Sequence, residues 1–152
     1  MLEQRLEQDL KQALLAGDKR RATTLRGLKS VLLYAKVAAG KRDSGLSDDE
    51  VIALFGKEAK KRQESADLYT RGGSAERAAA ELEEKSLIET YLPAQLSEAE
   101  LSDLVTAAIK ATGASSIKDT GKVIGAVRAQ AGATADGAII AKLVKAQLEV
   151  TA

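Results

Sequence analysis

Residues 47–71 read SDDEVIALFGKEAKKRQESADLYTR, and the periodicity of this stretch decides the fold class. Ser47-Asp48-Asp49-Glu50 is a capping box: the serine hydroxyl can accept from the backbone three residues on, and the glutamate can reach back to the serine N–H. Acids in this position also suit the positive end of a helix dipole. Behind the box, Ile52, Phe55, Ala59, Arg62, Ala66 and Tyr69 recur at spacings of three and four, the period of one helix face. Arg71-Gly72-Gly73 ends the run.

The same period extends in both directions. Upstream, Leu2, Leu6, Leu10 and Leu14 mark a first helix, Gly17-Asp18 breaks it, and Asp18 is a good N-cap for the next. That second helix carries Leu25, Leu28, Leu32, Ala35 and Ala39, and a polar loop from Gly40 to Gly45 follows. Downstream, Ser74 is placed to cap an Ala- and Glu-rich helix running to about Tyr91. Leu92-Pro93 stops it, because proline disfavours helical geometry in the residue before it. Ser97-Glu98-Ala99-Glu100 is a second capping box, opening a helix with Leu101, Leu104, Val105, Ala108 and Ile109 on one face and Gly113 at its end. Ser116 can cap a helix from about Ile117 to Ala131, closed by Gly132, and Asp136 a last one holding Ile139, Ile140, Leu143, Val144 and Leu148. No segment alternates with a two-residue period long enough for a strand. The expected fold is all-α: an N-terminal module of about four helices over residues 1–92, then a compact three-helix bundle over 93–152, with a hinge near 92–97.

Composition narrows the chemistry. The 152 residues are 45% hydrophobic and 30% charged, with 23 basic against 22 acidic side chains and no Cys, His or Trp. Thiolate or imidazole metal sites and Cys–His or Ser–His–Asp nucleophilic sites are therefore excluded. A net charge of +1 means that any attraction to phosphate must come from local patches. There is no apolar run for a signal peptide or a membrane span. The expectation is a cytoplasmic protein with no membrane partner.

Several short patterns invite chemistry and do not carry it. Ser115-Ser116-x-Lys118 places hydroxyls near a lysine, but a serine before an apolar-periodic segment reads as a cap. Thr120-Gly121-Lys122-Val123 has the Gly-Lys pair of a phosphate loop without its earlier glycine, its following Ser or Thr, or a strand. Glu81, Glu83, Glu84 and Glu89 are interleaved with Ala and Lys, unlike a calcium loop, and read as a surface helix. No catalytic residue, cofactor site or metal ligand is assigned.

Two features point to binding instead. Gly121 and Gly125, with Ala129 one turn on, lie along one predicted helix, where each glycine costs about 1 kcal/mol relative to alanine. Tight packing inside the three-helix module is the simpler explanation; a shallow face for a nucleic-acid backbone or partner helix is the other. The basic runs Lys19-Arg20-Arg21, with Arg26 and Lys29, and Lys57, Lys60, Lys61 and Arg62 are mostly solvated faces. Glu58–Arg62, Lys60–Glu64, Asp67–Arg71 and Glu81–Lys85 stand at i,i+4 pairing distance. Arg62 falls on the apolar stripe, where a structural ion pair is favoured over a ligand contact.

Taken together, several segments resemble the GatB/YqeY family over nearly the whole chain. They are Leu25-Arg26-Gly27-Leu28, Lys60-Lys61-Arg62-Gln63-Glu64-Ser65, Arg71-Gly72-Gly73, Glu81 with Glu84, and the Tyr91-Leu92-Pro93-Ala94-Gln95-Leu96-Ser97 junction. The tail is the most specific: Gly121-Lys122-Val123-Ile124-Gly125, then Gly132, Ala135-Asp136-Gly137 and Leu143-Val144-Lys145. Thr120 and Ile124 depart from the Met-Gly-x-x-Met that the family tends to show, a conservative change for packing. The family is similar to the C-terminal tail of the B subunit of the glutamine-dependent aminoacyl-tRNA amidotransferase, a carbon–nitrogen ligase whose catalytic centres lie elsewhere. The resemblance implies two helical modules connected with tRNA amidation, and as partners tRNA and an amidotransferase or other protein. The residues themselves offer no nucleotide site, glutaminase nucleophile or metal cluster, so a stand-alone enzyme is not expected. The candidate contacts are Gly121, Lys122, Gly125, Arg128, Lys142 and Lys145, with Arg26 and Arg62. Without aromatics for base stacking, such a surface would grip shape and phosphates. The alternative is a helical adaptor or oligomerising module with no tRNA role.

Overall fold

Seven α-helices account for most of residues 1–151, which a computed structural model describes. They are α1 (Leu2–Leu15), α2 (Lys19–Ala38), α3 (Asp48–Arg71), α4 (Ala75–Glu89), α5 (Glu98–Thr112), α6 (Thr120–Ala131) and α7 (Gly137–Thr151), with 3₁₀ turns at Ile117–Asp119 and Gly132–Thr134. The fold is all-α, with no strand among the described residues. Contacts gather into two compact units, Met1–Leu92 and Pro93–Ala152.

The helix starts follow the cap chemistry closely. Ser47 and Glu50 exchange both capping-box hydrogen bonds at α3, and Ser97 and Glu100 do so at α5. Asp18 accepts from the Arg21 N–H at 3.0 Å, and Asp136 from the Ala138 N–H at 2.7 Å. Two expectations need correction. Ser74 occupies the N-cap of α4, but its side chain makes no cap hydrogen bond, and α4 ends at Glu89 rather than near Tyr91. The helix expected over 117–131 is broken, because the Asp119 carboxylate reaches back to the N–H groups of Ser115 (3.0 Å) and Ser116 (3.2 Å). That closes a 3₁₀ turn, and regular α geometry starts only at Thr120.

In the first unit the core comprises Leu6, Leu25, Leu28, Leu32, Val51, Phe55, Ile88 and Tyr91, among others. The leucine series of α1 does not stay on it. Four-residue steps overshoot a helical turn by about 40° each, so Leu6 is buried while Leu14 is 49% exposed and Ala13 takes its place. In α3 the same bookkeeping seats Val51 in the core and leaves Ile52 half-buried. Tyr91, just beyond α4, ties three elements together. Its ring meets Phe55 edge-on at 5.6 Å and lies under the Arg5 guanidinium at 4.5 Å, and its hydroxyl donates to Asp9. In the second unit Leu101, Val105, Ala108, Val123, Val127, Ile140, Val144 and Leu148 from α5, α6 and α7 form one core.

Of the four i,i+4 pairs expected, only Glu58–Arg62 closes, at 3.3 Å. Lys85 turns to Glu89 (3.4 Å) and to the Gln63 side chain (2.9 Å), and Asp67 accepts from Gln63. Of these contacts only Lys85–Gln63 crosses to the facing helix; the other two lie one turn along the same helix, with a different partner from the one expected.

Burial, then the hydrogen bond and charge of Asp9, raise the Tyr91 phenol above its ordinary value, against the opposing charges of Arg5 and Arg21. A raised pKa contributes stability below the unfolded value and loses it as pH climbs past about 10. Thermal melts should therefore fall with rising pH in that alkaline range, and Tyr91→Phe should flatten the slope. Ser97→Ala should cost about 1 kcal/mol in chemical denaturation through loss of the α5 cap.

Candidate nucleic-acid interface

Helix α6 turns Val123, Val127 and Ala131 to the core, which leaves Gly121, Gly125 and Ala129 on the opposite, exposed side. A Cβ added at Gly121 or Gly125 would meet nothing within 4 Å. The glycines are therefore not there for tight packing within the three-helix unit, as the simpler reading of the sequence holds. They form a flat, side-chain-free ledge.

Cations flank it. Lys122 extends to the C-terminal end of α5, where its Nζ donates to the Thr112 carbonyl at 3.1 Å, just before Gly113 ends that helix with φ 67°. On the other border the exposed Arg128 guanidinium lies against Gly137, where the missing side chain at the first turn of α7 makes room for it. Lys142 and Lys145 are exposed on α7, whose Ile140, Val144 and Leu148 face inward.

The second unit holds six basic side chains (Lys110, Lys118, Lys122, Arg128, Lys142, Lys145) and six acidic ones. Every ion pair among the described residues nevertheless lies in the first unit. Three of the six carboxylates here serve the backbone instead. Glu100, Asp119 and Asp136 accept from N–H groups at helix or turn starts. Those N–H bonds, from Ser97 to Glu100 and from Ser115 then Ser116 to Asp119, hold both carboxyls below their ordinary pKa range. A unit of zero net charge thus forms no ion pair among its described residues, although Lys122 lies close enough for its charge to act on Asp119.

Arg26 and Arg62 belong to the first unit. Arg26 is exposed on α2 and forms no ion pair among the described residues. Arg62, between α3 and α4, donates from Nε to Glu84 at 2.8 Å and pairs with Glu58 at 3.3 Å and Glu81 at 3.8 Å. Partial burial opposes its charge, but the Glu84 hydrogen bond and the three carboxylate charges outweigh it and raise the guanidinium pKa. This is the structural ion pair favoured from its position on the stripe. Glu83 and Glu89 likewise hold Arg20 and Lys85, at 3.1 and 3.4 Å. Two features escaped the sequence reading: the unpaired state of Lys110 and Lys118, and Tyr34, 77% exposed on α2. Only the position of Tyr34, off the Leu25–Leu28–Leu32 stripe, could have disclosed it.

A family model described as Yqey-like protein matches residues 3–148. The chain belongs to that family. The Yqey-like family is related to the C-terminal domain of GatB. This Yqey-like chain is also 31% identical over 87 residues to Altered inheritance of mitochondria protein 41, mitochondrial, of Vanderwaltozyma polyspora. The match covers 57% of this chain and 46% of the relative, so the chain spans less than half of that protein's length. Among the described residues no helix is long and apolar enough to cross a membrane.

Because Gly125 lies in the helix interior with open space beside it, Gly125→Ala should stabilise the protein by about 1 kcal/mol in chemical denaturation. Gly121→Ala, in the first turn of α6, should gain less.

Proposed function

We propose that this Yqey-like protein binds tRNA through its C-terminal unit, as an accessory to glutamine-dependent tRNA amidation with no active site of its own. The observation that carries this reading is a second unit without an ion pair among its described residues, with Lys122 and Arg128 on the helix of the Gly121–Gly125 ledge and Lys142 and Lys145 exposed on α7. Lys and Arg side chains outside any ion pair neutralise phosphates without first breaking one, and Lys122 gives up only its bond to the Thr112 carbonyl. A ledge without side chains lets a sugar–phosphate backbone come close to the helix. The glycines also lower helix stability where no neighbour requires them, which supports a role outside folding. Lys122, Arg128, Lys142 and Lys145 supply charge, and Gly121 and Gly125 supply access. Arg62 is held by three carboxylates, and Arg26 borders a surface of different chemistry, so neither is central to the contact.

Fluorescence anisotropy with amidotransferase-substrate tRNA tests the reading. Binding should weaken steeply with salt, by roughly 0.7–0.9 log units per log unit of salt for each phosphate contacted. Replacing Lys122 or Arg128 with Ala should reduce that slope by about one contact. Gly125→Ala should bind more weakly while being more stable, a combination that a purely structural glycine would not give. Absence of tRNA binding at low salt rejects the proposal. Amidation of misacylated tRNA by the purified chain alone would reject the accessory role.

A further inference from the structure

Helix α2 carries six basic residues (Lys19, Arg20, Arg21, Arg26, Lys29 and Lys36) and no acidic one. Four are neutralised from neighbouring helices: Arg20 by Glu83 at 3.1 Å, Arg21 by Asp9 at 3.9 Å, Lys29 by Glu7 at 3.1 Å, and Lys36 by Glu3. Lys19 and Arg26 have no such partner among the described residues, and they are the two that share the outward face. Leu33 and Val37 follow Arg26 by seven and eleven residues and so lie on nearly the same line, with Lys19 seven residues before it. The face therefore runs from cationic at its start to apolar at its end. Leu33 is 54%, Tyr34 77% and Val37 47% exposed, whereas Phe55 and Tyr91 are buried.

Beside this face lies a cleft of about 410 Å³ between α1 and α2. Its floor is apolar, from Leu6, Leu32 and Leu33, and Arg26 stands on its rim with Lys29 and Lys36. Since Glu7 and Glu3 already answer those two lysines, Arg26 is the rim cation left for a visitor. From this juxtaposition we infer that the outer face of α2 is a docking site for an acidic amphipathic helix of a partner protein. The partner's apolar residues cover Leu33, Tyr34 and Val37, one of them enters the cleft, and its carboxylates meet Arg26 and Lys19. Helix-in-groove recognition uses this division of labour, with aromatic and arginine anchors dominating the energy.

Charge complementarity selects the occupant. A symmetric contact between two copies through α2 would leave Lys19 and Arg26 of each copy unanswered, since α2 carries no carboxylate to meet them. A nucleic acid would satisfy Lys19 and Arg26 and leave the exposed Leu33 and Val37 facing phosphates. An acidic amphipathic helix satisfies both halves of the face.

The test uses the full chain and a dye-labelled synthetic helix of about 20 residues, roughly the length of α2, with Leu at i, i+3, i+4 and i+7 and Glu elsewhere. A scrambled peptide of equal composition and a Lys-for-Glu version serve as controls. Anisotropy should show saturable binding of the acidic peptide alone. Tyr34→Ala and Arg26→Glu should each weaken it by about tenfold or more, with melting temperatures unchanged. No binding of the acidic peptide, or binding indifferent to both substitutions, overturns the inference. Loss of tRNA rather than peptide binding in Tyr34→Ala assigns the face to nucleic acid and also overturns it. A dimer in light scattering that Leu33→Glu disperses gives the face to a second copy, with the same consequence. Loss of tRNA binding in the α6 variants alone bears on the C-terminal unit and leaves the α2 face standing.

Discussion

Every helix start leaves backbone N–H groups without intrahelical partners, and a chain whose regular structure is all helical must meet that demand repeatedly. Here carboxylates and serine hydroxyls meet much of it. Ser47 with Glu50, Ser97 with Glu100, Asp18 and Asp136 each cap the helix they precede or open. Asp48 does more, since it sits in the first turn of α3 and also accepts from the Leu2 N–H at 2.8 Å, capping α1 from across the unit. Glu3 returns the service at the Leu46 N–H, also at 2.8 Å. Helix starts are thus linked to one another as well as satisfied locally.

That use of negative charge sets the surface of each unit. In the first unit enough carboxylates remain to pair with cations, and α3 and α4 are joined by Arg62 with Glu58, Glu81 and Glu84. In the second unit three of the acids serve backbone N–H groups, and no lysine or arginine among the described residues forms an ion pair. A near-zero net charge therefore describes two different electrostatic situations. Electrostatic binding depends on the local arrangement, because charges separated by more than about 8–10 Å are largely screened at physiological salt.

The caps and the helix class were legible in the sequence because both depend on residues within one or two turns. Ser47-Asp48-Asp49-Glu50 and Ser97-Glu98-Ala99-Glu100 contain their own hydrogen-bond partners. Arg62 was legible for a related reason: a charge on an apolar stripe must find a partner. The pairing of Lys85 was not, since Glu81 lies at the right spacing and yet Gln63, on the facing helix, competes for the same ammonium group. The glycines of α6 were misread on the same account. Spacing shows that Gly121 and Gly125 share a face, but only the positions of α5 and α7 show which way that face looks.

The sequence by itself determined that the chain is helical, where most helices begin, and that it carries neither thiol nor imidazole chemistry. These follow from local periodicity, cap residues and composition. Tertiary structure decided which cations are neutralised, that Leu14 leaves the core to Ala13, and that the Gly121–Gly125 ledge and the Leu33–Tyr34–Val37 face look outward. Each of those outcomes depends on what an adjacent helix brings to within a few ångströms, and residues distant in sequence meet there only when the chain folds.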